Sequence, residues 1–404
     1  MQAAFNWIGR QFKQGSLEFR TPDGRSWTLG NSTPRALIDA KDRATLRRLL
    51  LNPRLAFGET YMEGAWQPAN GDLLHTLEVA MRMLSSVSTP AWLEKPGIWL
   101  AKLRELNTPL RARQYVSHHY DLDYALYSAF LDRDLHYSCA YFYESGISLE
   151  QAQQGKCAYI AAKLDLKRGA RVLDIGCGWG SLALYLAEHF DAHVTGVTLS
   201  TEQLAVANAR AKERGLEAQV DFRLQDYRDV TGEFDAVVSV GMFEHVGRPQ
   251  YATYFEHMRR LLTSKGTALL HTIGRTTPPG VLNPWIGKYI FPGGYIPAAS
   301  EVLTASEPSG LILSDFEVWR LHYAQTLAEW QRRFQTRRSD FEQRFGERFC
   351  RMWEFYLAAS EASFRWGDLV VFHLQFTRDL HRLPLTRDYL YRASDPIATQ
   401  SIAA

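Results

Sequence analysis

The strongest constraint on the fold lies in residues 171–181, RVLDIGCGWGS, where a short apolar run leads into three closely spaced glycines. The run before the glycines has the composition of an interior parallel strand. Residues 181–189, SLALYLAEH, space their apolar side chains as a helix does. The glycines let the backbone turn tightly and approach a ligand closely. We therefore predict a strand, a ligand-binding turn and a helix in direct succession.

The acid before this turn indicates the charge of the ligand. An NAD-type site holds a pyrophosphate at the helix N-terminus, and Asp174 would repel that phosphate. The methionyl amine and the sulfonium of S-adenosylmethionine are both positive, so this cofactor suits the carboxylate. The competing interpretation is a glycine-rich turn that binds no ligand.

Two later segments offer further contacts to the same cofactor. The second strand leads into Thr198, Ser200 and Gln203 without the acid that binds ribose in many nucleotide folds. Ser200 is equally suited to a helix N-cap. Asp226 follows a strand where this fold commonly binds adenine, although it could also be a solvated loop acid. The predicted cofactor residues are Tyr137, Ser138, Asp174, Gly176, Cys177, Gly178, Gly180, Thr198, Leu199, Ser200, Gln203, Gln225, Asp226 and Tyr227.

Composition limits the class of protein. A formal net charge of +2 is too small to argue for nucleic acid. The 4 cysteines show neither a disulfide framework nor metal-ligand spacing, so we predict no metal site and a reducing, cytoplasmic compartment. No apolar run approaches the roughly 18 residues that cross a bilayer, and the N-terminus lacks the pattern of a signal peptide.

The 404 residues divide into a smaller and a larger predicted domain. Residues 1–90 are expected to form a small α+β domain, with strand-like runs at 17–20 and 26–29 and helices near 41–50 and 72–86. A linker over 91–115 precedes a catalytic domain over 116–392 and a tail over 393–404. The catalytic domain alternates predicted strands (171–175, 192–197, 219–224, 234–240, 267–273) with predicted helices (150–164, 181–190, 201–214, 250–262). This alternation predicts an α/β, Rossmann-like fold with a mostly parallel sheet and helices on both faces.

Several motifs, taken in order, carry a family resemblance. Residues 115–142 are dense in tyrosine and histidine, and tyrosine faces attract a sulfonium, although several of these rings are expected to pack. Together with Cys177-Gly-Trp-Gly, Thr198-Leu-Ser-x-Glu-Gln and Met242-Phe-Glu-His-Val-Gly, this segment resembles the cyclopropane fatty acid synthase family, which includes the mycolic acid cyclopropane synthases. The resemblance covers roughly residues 115–380. The N-terminal hundred residues match the longer bacterial phospholipid enzymes, which favours a phospholipid substrate.

The resemblance implies a class I S-adenosylmethionine-dependent methyltransferase fold and a bound bicarbonate that acts as base. A base is needed because attack of an alkene on the sulfonium methyl leaves a carbocation, which must lose a proton before the ring closes. The residues implied to hold the bicarbonate are Cys139, Glu244, His271 and Tyr323 through their side chains, Ile273 through its backbone, and His245 as a further candidate. Each has a structural alternative, such as Cys139 as a small core residue.

One position departs from part of the family. Some members carry a cysteine in the helix where this chain has Ser360. A covalent thiol mechanism at that site is therefore disfavoured. Cys350 lies in a different turn and is expected to pack.

Two segments are predicted to contact a membrane. Residues 275–300 concentrate apolar side chains between proline-glycine breaks: Trp285, Ile286, Tyr289, Ile290 and Phe291. Residues 327–349 are predicted as a helix with Trp330, Phe334, Phe341 and Phe345 on its apolar side. Its arginines, Arg332, Arg333, Arg337, Arg338, Arg344 and Arg348, suit anionic phospholipid. The alternative is ordinary ion pairs with Glu329, Asp340 and Glu347.

These observations predict a cyclopropane synthase that acts on unsaturated acyl chains of membrane phospholipids. We expect a peripheral protein at the inner face of the cell membrane, and the resemblance suggests a homodimer. Two alternatives stay open: another S-adenosylmethionine-dependent lipid methyltransferase, and a non-catalytic lipid-binding protein on a methyltransferase scaffold.

Overall fold

The structure, a computed structural model, describes residues 2–86 and 124–393. The chain forms two compact units. The first comprises Met1–Leu100, Val281–Pro292 and Ala324–Leu369, and the second comprises Ala101–Gly280, Gly293–Tyr323 and Val370–Ala404. The predicted linker and all but the first residue of the predicted tail lie outside the described residues. The predicted domain boundaries assume continuous segments, whereas two segments from within 116–392 pack with the N-terminal residues.

The elements follow one another along the chain as helices and strands that we number separately. The helices are α1 (Gln2–Gly9), α2 (Arg43–Leu51), α3 (Pro53–Met62), α4 (Leu73–Ser85), α5 (Tyr124–Phe130), α6 (Leu149–Lys163), α7 (Ser181–Phe190), α8 (Thr201–Arg214), α9 (Tyr251–Leu261), α10 (Pro284–Tyr289), α11 (Ala299–Ser306), α12 (His322–Thr336), α13 (Arg338–Phe345), α14 (Glu347–Trp366) and α15 (Asp388–Ala393). The strands are β1 (Ser16–Arg20), β2 (Ser26–Gly30), β3 (Arg35–Ala40), β4 (Trp66–Pro68), β5 (Arg171–Ile175), β6 (His193–Thr198), β7 (Val220–Leu224), β8 (Phe234–Val240), β9 (Leu262–Arg275), β10 (Ile312–Trp319) and β11 (Leu369–Thr377).

The first unit contains a four-stranded sheet in the order β2-β1-β3-β4. Strand β1 pairs antiparallel with β2 and parallel with β3, and β3 pairs antiparallel with β4. The predicted strands at 17–20 and 26–29 are confirmed as β1 and β2, and the helices near 41–50 and 72–86 as α2 and α4. Strands β3 and β4 and helices α1 and α3 were not predicted.

The second unit contains a seven-stranded sheet in the order β10-β11-β9-β8-β5-β6-β7. Strands β5 to β9 pair in parallel with their neighbours, and β10 pairs antiparallel with β11. The five predicted strands are confirmed as β5 to β9, and the four predicted helices as α6 to α9. The predicted mostly parallel α/β fold is therefore confirmed, and β10 and β11 extend it.

The order of strands locates a ligand crevice in this sheet. The chain runs outward from β5 through β6 to β7, and then returns to the other side of β5 to form β8 and β9. In open α/β sheets a ligand binds where the strand order reverses, beyond the carboxyl ends of the strands. The glycine turn follows β5 and lies at this reversal.

The apolar segment that was predicted to enter a membrane contributes instead to the interior of the first unit. Trp285 is 1% exposed, and Ile290 is equally buried. The indole N–H of Trp285 donates to the sulfur of Met62 at 3.2 Å, and its ring packs against Phe355. Ile286, Tyr289 and Phe291 are only half-buried. The hypothesis that Trp285 and Ile290 form a membrane-facing patch is therefore wrong, because their hydrophobic surface is already covered by protein.

The predicted arginine-rich helix is divided among α12, α13 and the start of α14. Its apolar side chains Trp330, Phe334 and Phe341 are buried. At least four of the six arginines form ion pairs: Arg332 and Arg333 with Glu329, Arg337 with Asp340, and Arg338 with Glu347. These are the pairs named above as the alternative to lipid binding, and they reduce the charge that the helix offers to an anionic surface.

The packing of Trp285 generates a stability prediction. A Cβ atom at Gly58 would lie 2.5 Å from the indole nitrogen of Trp285. Gly58→Ala should therefore destabilise the protein by about 1–3 kcal/mol through overpacking, although alanine is the better helix former. Urea unfolding followed by tryptophan fluorescence measures the change. Gly287→Ala is the matched control, because its nearest neighbour would be Leu282 at 3.4 Å. A Gly58→Ala protein as stable as the Gly287→Ala protein would contradict the packing argument.

Candidate active site

The glycine turn after β5 is shaped by close contacts on one side and open space on the other. The N–H groups of Gly176 and Cys177 both donate to the carbonyl of Val197 at 3.0 Å. Gly176 has a φ of 82°, and a Cβ there would lie 2.8 Å from the Cβ of Met242. A Cβ at Gly178 would meet nothing within 4 Å. The turn therefore closes against Met242 and leaves its middle open for a ligand.

A cavity adjoins this turn at the carboxyl ends of the parallel strands. The predicted cofactor residues that line it are Tyr137, Ser138, Asp174, Gly176, Cys177, Gly178, Thr198, Leu199, Gln203, Gln225, Asp226 and Tyr227. Gly180 and Ser200 are not among its lining residues. Ser200 caps α8, since its hydroxyl accepts the N–H of Gln203 at 3.2 Å, and Gly180 makes room for the ring of Phe222.

Asp174 is the acid of this cavity. Its side chain is 2% exposed, and its Oδ2 has no hydrogen-bond partner within residues 2–86 and 124–393. Burial raises the pKa of Asp174 to about 7, against the opposing effect of Lys156 and His136. A buried carboxyl group with an unpartnered oxygen fits a ligand that carries positive charge and N–H donors.

The structure adds detail on Asp226, Thr198 and Gln203, which are predicted cofactor residues. Asp226 is buried, and both of its oxygens accept from the guanidinium group of Arg228, at 2.8 and 2.7 Å. It is therefore neither a solvated acid nor an uncommitted acceptor. The hydroxyl of Thr198 donates to Oε1 of Gln203 at 2.8 Å. This bond fixes the orientation of the Gln203 amide at the cavity wall.

Sequence reasoning missed a buried lysine beside the predicted cofactor residues. Lys156 lies in α6, is 1% exposed and lines the cavity. Its ammonium group donates to the hydroxyl of Ser138 at 2.8 Å. Lysine is almost never fully buried without a partner. The position of Lys156 on the apolar side of α6, near Tyr159 and Ile160, was therefore the signal that could have identified it.

A second missed group is a buried chain of three side chains. Asp132 accepts from Nδ1 of His136 at 2.9 Å, and Nε2 of His136 lies 3.2 Å from the sulfur of Cys157. Burial and Lys156 oppose the charged form of His136, but Asp132 and Cys157 together raise its pKa to about 9. His136 also lines the cavity. His136 is therefore positive near neutral pH and lies in the same cavity wall as Asp174 and as Lys156, whose pKa burial lowers.

Glu244 follows β8 in a single turn of 3-10 helix, between the cavity-lining residues Met242 and His245. Its side chain is 9% exposed. Oε1 accepts the backbone N–H of Ile273 at 2.5 Å, whereas Oε2 is buried with no hydrogen-bond partner among the described residues. Burial raises the pKa of Glu244 and lowers that of His245 to about 4, so it favours the neutral form of both.

The other predicted base-site residues are His271, Cys139 and Tyr323, and each lies on a different segment of the chain. His271 lies in β9 two residues before Ile273, so the two side chains leave the sheet on the same face. Cys139 is buried, and its thiol donates to the carbonyl of Ala140 at 3.4 Å. The N–H of Phe142 donates to Nδ1 of His322 at 3.1 Å. That bond joins the segment after Cys139 to the residue before Tyr323, which is half-buried in the first turn of α12.

Cys350 packs, as predicted. It is buried, and its thiol donates to the carbonyl of Arg338 at 3.8 Å. Burial raises the pKa of Cys350 to about 11, so the thiol stays protonated near neutral pH and is a poor nucleophile.

Comparison with known proteins identifies the family. The family described as mycolic acid cyclopropane synthetase matches residues 108–374. The cyclopropane-fatty-acyl-phospholipid synthase of Escherichia coli K12 is 40% identical over 348 residues, which cover 86% of this chain and 89% of that protein. A probable fatty acid methyltransferase of Pseudomonas putida is 34% identical over 388 residues, which cover 93% of this chain and 96% of that protein. Among solved structures, the mycolic acid cyclopropane synthase CmaA1 complexed with SAH and CTAB is 30% identical, with a TM-score of 0.62 over 67% of this chain and 99% of that one.

The charge of Asp174 generates a pH prediction. With a pKa of about 7, Asp174 is protonated in much of the ligand-free protein below pH 7. Because a cationic ligand needs the carboxylate, binding of S-adenosylmethionine should strengthen as pH rises from about 5.5 to 7.5, by up to about tenfold per unit. Asp174→Asn should bind more weakly and lose this dependence. Calorimetric titration measures both, with Asp221→Asn, an exposed acid of β7, as the control. Equal pH dependence in the two variants would contradict the assignment.

Lys156 gives a second prediction, which the same calorimetric titration can test. Its positive charge holds the pKa of Asp174 down. Lys156→Met should therefore move the midpoint of the pH dependence to higher pH, while the binding of S-adenosylmethionine above that midpoint persists. Lys212→Met, which removes an exposed lysine of α8, should leave the midpoint unchanged. An unshifted midpoint in Lys156→Met would show that the lysine does not act on Asp174.

Proposed function

Because this chain belongs to the mycolic acid cyclopropane synthetase family, we propose that it transfers a methylene group from S-adenosylmethionine to the cis double bond of unsaturated acyl chains in membrane phospholipids. The observation that carries the proposal is Glu244, a buried acid between two cavity-lining residues with one oxygen unpartnered among the described residues. Simple transfer to oxygen or nitrogen needs no group that removes a proton from the transferred methyl. Ring closure does, so a second polar site beside the cofactor cavity favours cyclopropanation.

The cavity fits S-adenosylmethionine, which supplies an electrophilic methyl group on a positive sulfur. Asp174 would bind positive charge, and the open turn at Gly178 would admit the ligand close to the backbone. The ring of Tyr137 lines the cavity, and aromatic faces attract cations. Tyr127 packs edge-to-face against Tyr137 at a ring separation of 5.2 Å and so restrains the orientation of that ring.

The proposed base site would hold an anion through neutral donors. In the proposed reaction one alkene carbon would bond to the methyl carbon as the methyl–sulfur bond breaks and its electron pair stays on sulfur, which leaves S-adenosylhomocysteine. The neighbouring alkene carbon would become positive, and loss of a methyl proton to the base would free the C–H electron pair that closes the ring. A bound bicarbonate would supply the base. Burial favours the protonated form of Glu244, whose O–H can then donate to an anion. The N–H of Ile273 donates to Glu244, so we propose that this backbone group orients the glutamate.

The proposed phospholipid substrate is supported by the extent of the sequence similarity. The sequence alignment with the Escherichia coli phospholipid enzyme covers 86% of this chain, against 56% for cyclopropane mycolic acid synthase 2 of Mycobacterium leprae. No helix among the described residues is long and apolar enough to cross a bilayer. We propose a cytoplasmic, peripheral enzyme at the inner membrane face that acts as a homodimer. Because most arginines of α12 and α13 are ion-paired, we assign them only a minor part in membrane binding.

The second candidate function is transfer of a methyl group that ends in a branched or methylene-bearing acyl chain. It is favoured by the similarity to the fatty acid methyltransferase of Pseudomonas putida, which covers 93% of this chain. Both functions use the same cavity and differ in how the cation on the acyl chain is resolved.

Mass spectrometry of lipids from cells that express the protein separates these functions. Cyclopropanation predicts a gain of one CH2 on monounsaturated phospholipid chains, resistant to catalytic hydrogenation. A methylene-bearing product would also gain one CH2 but would take up hydrogen. If the lipids of the expressing cells are unchanged and the purified protein nevertheless binds the cofactor, the result would instead support a non-catalytic protein.

Glu244→Gln tests the base site. The amide keeps an oxygen to accept the N–H of Ile273 but replaces the O–H of the protonated acid with a weaker N–H donor. Turnover on unsaturated phospholipid vesicles should fall by about 10–100-fold, because a hydrogen bond to a charged group contributes about 1.5–3 kcal/mol, whereas the affinity for S-adenosylhomocysteine should persist. Glu256→Gln, an exposed position of α9, is the control. An equal loss of cofactor affinity would mean that Glu244 belongs to the cofactor site.

A further inference from the structure

A second histidine contacts His271 inside the sheet. His271 lies in β9, and His373 lies in the neighbouring strand β11. Nδ1 of His271 and Nε2 of His373 are 2.7 Å apart. Both side chains are at most 2% exposed. A contact of this length between two imidazole nitrogens is a hydrogen bond in which one ring donates and the other accepts.

Both rings are held neutral by their surroundings. Burial lowers the pKa of His271 and of His373 well below the ordinary value, and the positive charges of Lys156 and Lys163 lower both further. A neutral imidazole carries one proton, so the pair has two possible arrangements. Either His271 donates its Nδ1–H to His373, or His373 donates its Nε2–H to His271.

The other nitrogen of His373 distinguishes the two arrangements. Nδ1 of His373 is buried, and no protein group in residues 2–86 or 124–393 hydrogen-bonds to it. If His271 donated, His373 would carry its proton on Nδ1 as a buried N–H without an acceptor, which is rare and costly. If His373 donates, only a bare ring nitrogen is buried there. The second arrangement is therefore favoured.

Trp319, the last residue of β10, restrains both rings. Its indole stacks on His373 with a centroid separation of 3.9 Å and an interplanar angle of 27°. It meets His271 edge-on at 5.5 Å. A ring that is stacked on one face and hydrogen-bonded at one edge has little freedom to present its other nitrogen.

We propose that His373 is a positioning residue that donates its Nε2–H to Nδ1 of His271 and thereby keeps the proton of His271 on Nε2. The inference rests on the proposed function, in which His271 helps to hold an anionic base. An N–H suits an anion, whereas a bare ring nitrogen would repel it. His373 thus acts on the reaction through the tautomer of His271.

Two substitutions in the full-length enzyme test this role by kinetics. The amide of His373→Gln can still donate to His271, whereas His373→Leu cannot. In bicarbonate-depleted buffer with vesicles of monounsaturated phosphatidylethanolamine, His373→Leu should raise the KM for added bicarbonate by about 10–100-fold, the usual cost of losing a group that orients a ligand. His373→Gln should stay close to wild type. The dissociation constant for S-adenosylhomocysteine should be unchanged in both, which also checks their folding.

The tautomer itself is measured by 15N NMR of the histidine-labelled protein. The signals of His271 are assigned by their loss in His271→Gln. In wild type, His271 should carry its proton on Nε2, and in His373→Leu it should show a mixture of tautomers. A proton on Nδ1 of His271 in wild type, or an unchanged bicarbonate KM in His373→Leu, would overturn the proposal. If His373→Leu fails to fold, the wild-type tautomer decides.

The two measurements separate failure of this proposal from failure of the proposed function. If wild-type turnover does not depend on bicarbonate, the proposed base is wrong, and the tautomer still reports whether His373 fixes His271. If turnover depends on bicarbonate but His271 carries its proton on Nδ1, the function stands and the role of His373 falls.

Discussion

The proposed cofactor site depends on one buried carboxyl group, that of Asp174 at the end of the central strand β5. Taking a carboxylate out of water is costly unless positive charge compensates it. Lys156 and His136 supply that charge from within the same cavity wall. They oppose the effect of burial, which raises the pKa of Asp174 to about 7, so the acid can lose its proton near neutral pH when a cationic ligand binds. The need to compensate the buried carboxylate of Asp174 thus explains why Lys156 and His136 are buried beside it.

The register of the sheet connects the proposed cofactor site to the proposed base site. Strand β8 pairs with β5 on one side and with β9 on the other, and Val240 lies opposite His271. This register brings Glu244, four residues after Val240, within hydrogen-bond distance of Ile273 in β9. A slip of one residue would turn the side chain of His271 to the opposite face. The positions of both sites are therefore set by neighbouring strands of one sheet.

The sequence predicted the elements whose signal is local and missed those whose signal is not. Strands β5 to β9 each contain an apolar run or an apolar alternation, and segments with helical spacing separate most of them, so each was recognisable by itself. Strand β11 was missed because the polar residues His373 and Gln375 interrupt its apolar run, although its interior is fully buried. Segments 281–292 and 324–369 could not be assigned to the first unit from the sequence. The helices with which they pack lie more than 200 residues earlier in the chain. Lys156 was missed because charged residues are ordinarily outside.

The chemistry expected of the proposed base site follows from burial, which raises the pKa of acids and lowers the pKa of bases. The same desolvation raises the pKa of Glu244 and lowers the pKa values of His245 and His271. All three side chains are thereby driven toward neutrality. A protonated glutamate cannot accept a proton, and an imidazole of low pKa is a weak base. Neutral O–H and N–H groups are, however, good donors to an anion. A site of this composition is better suited to hold a separate anionic base than to act as the base itself, which supports bicarbonate over any of these side chains as the group that removes the methyl proton.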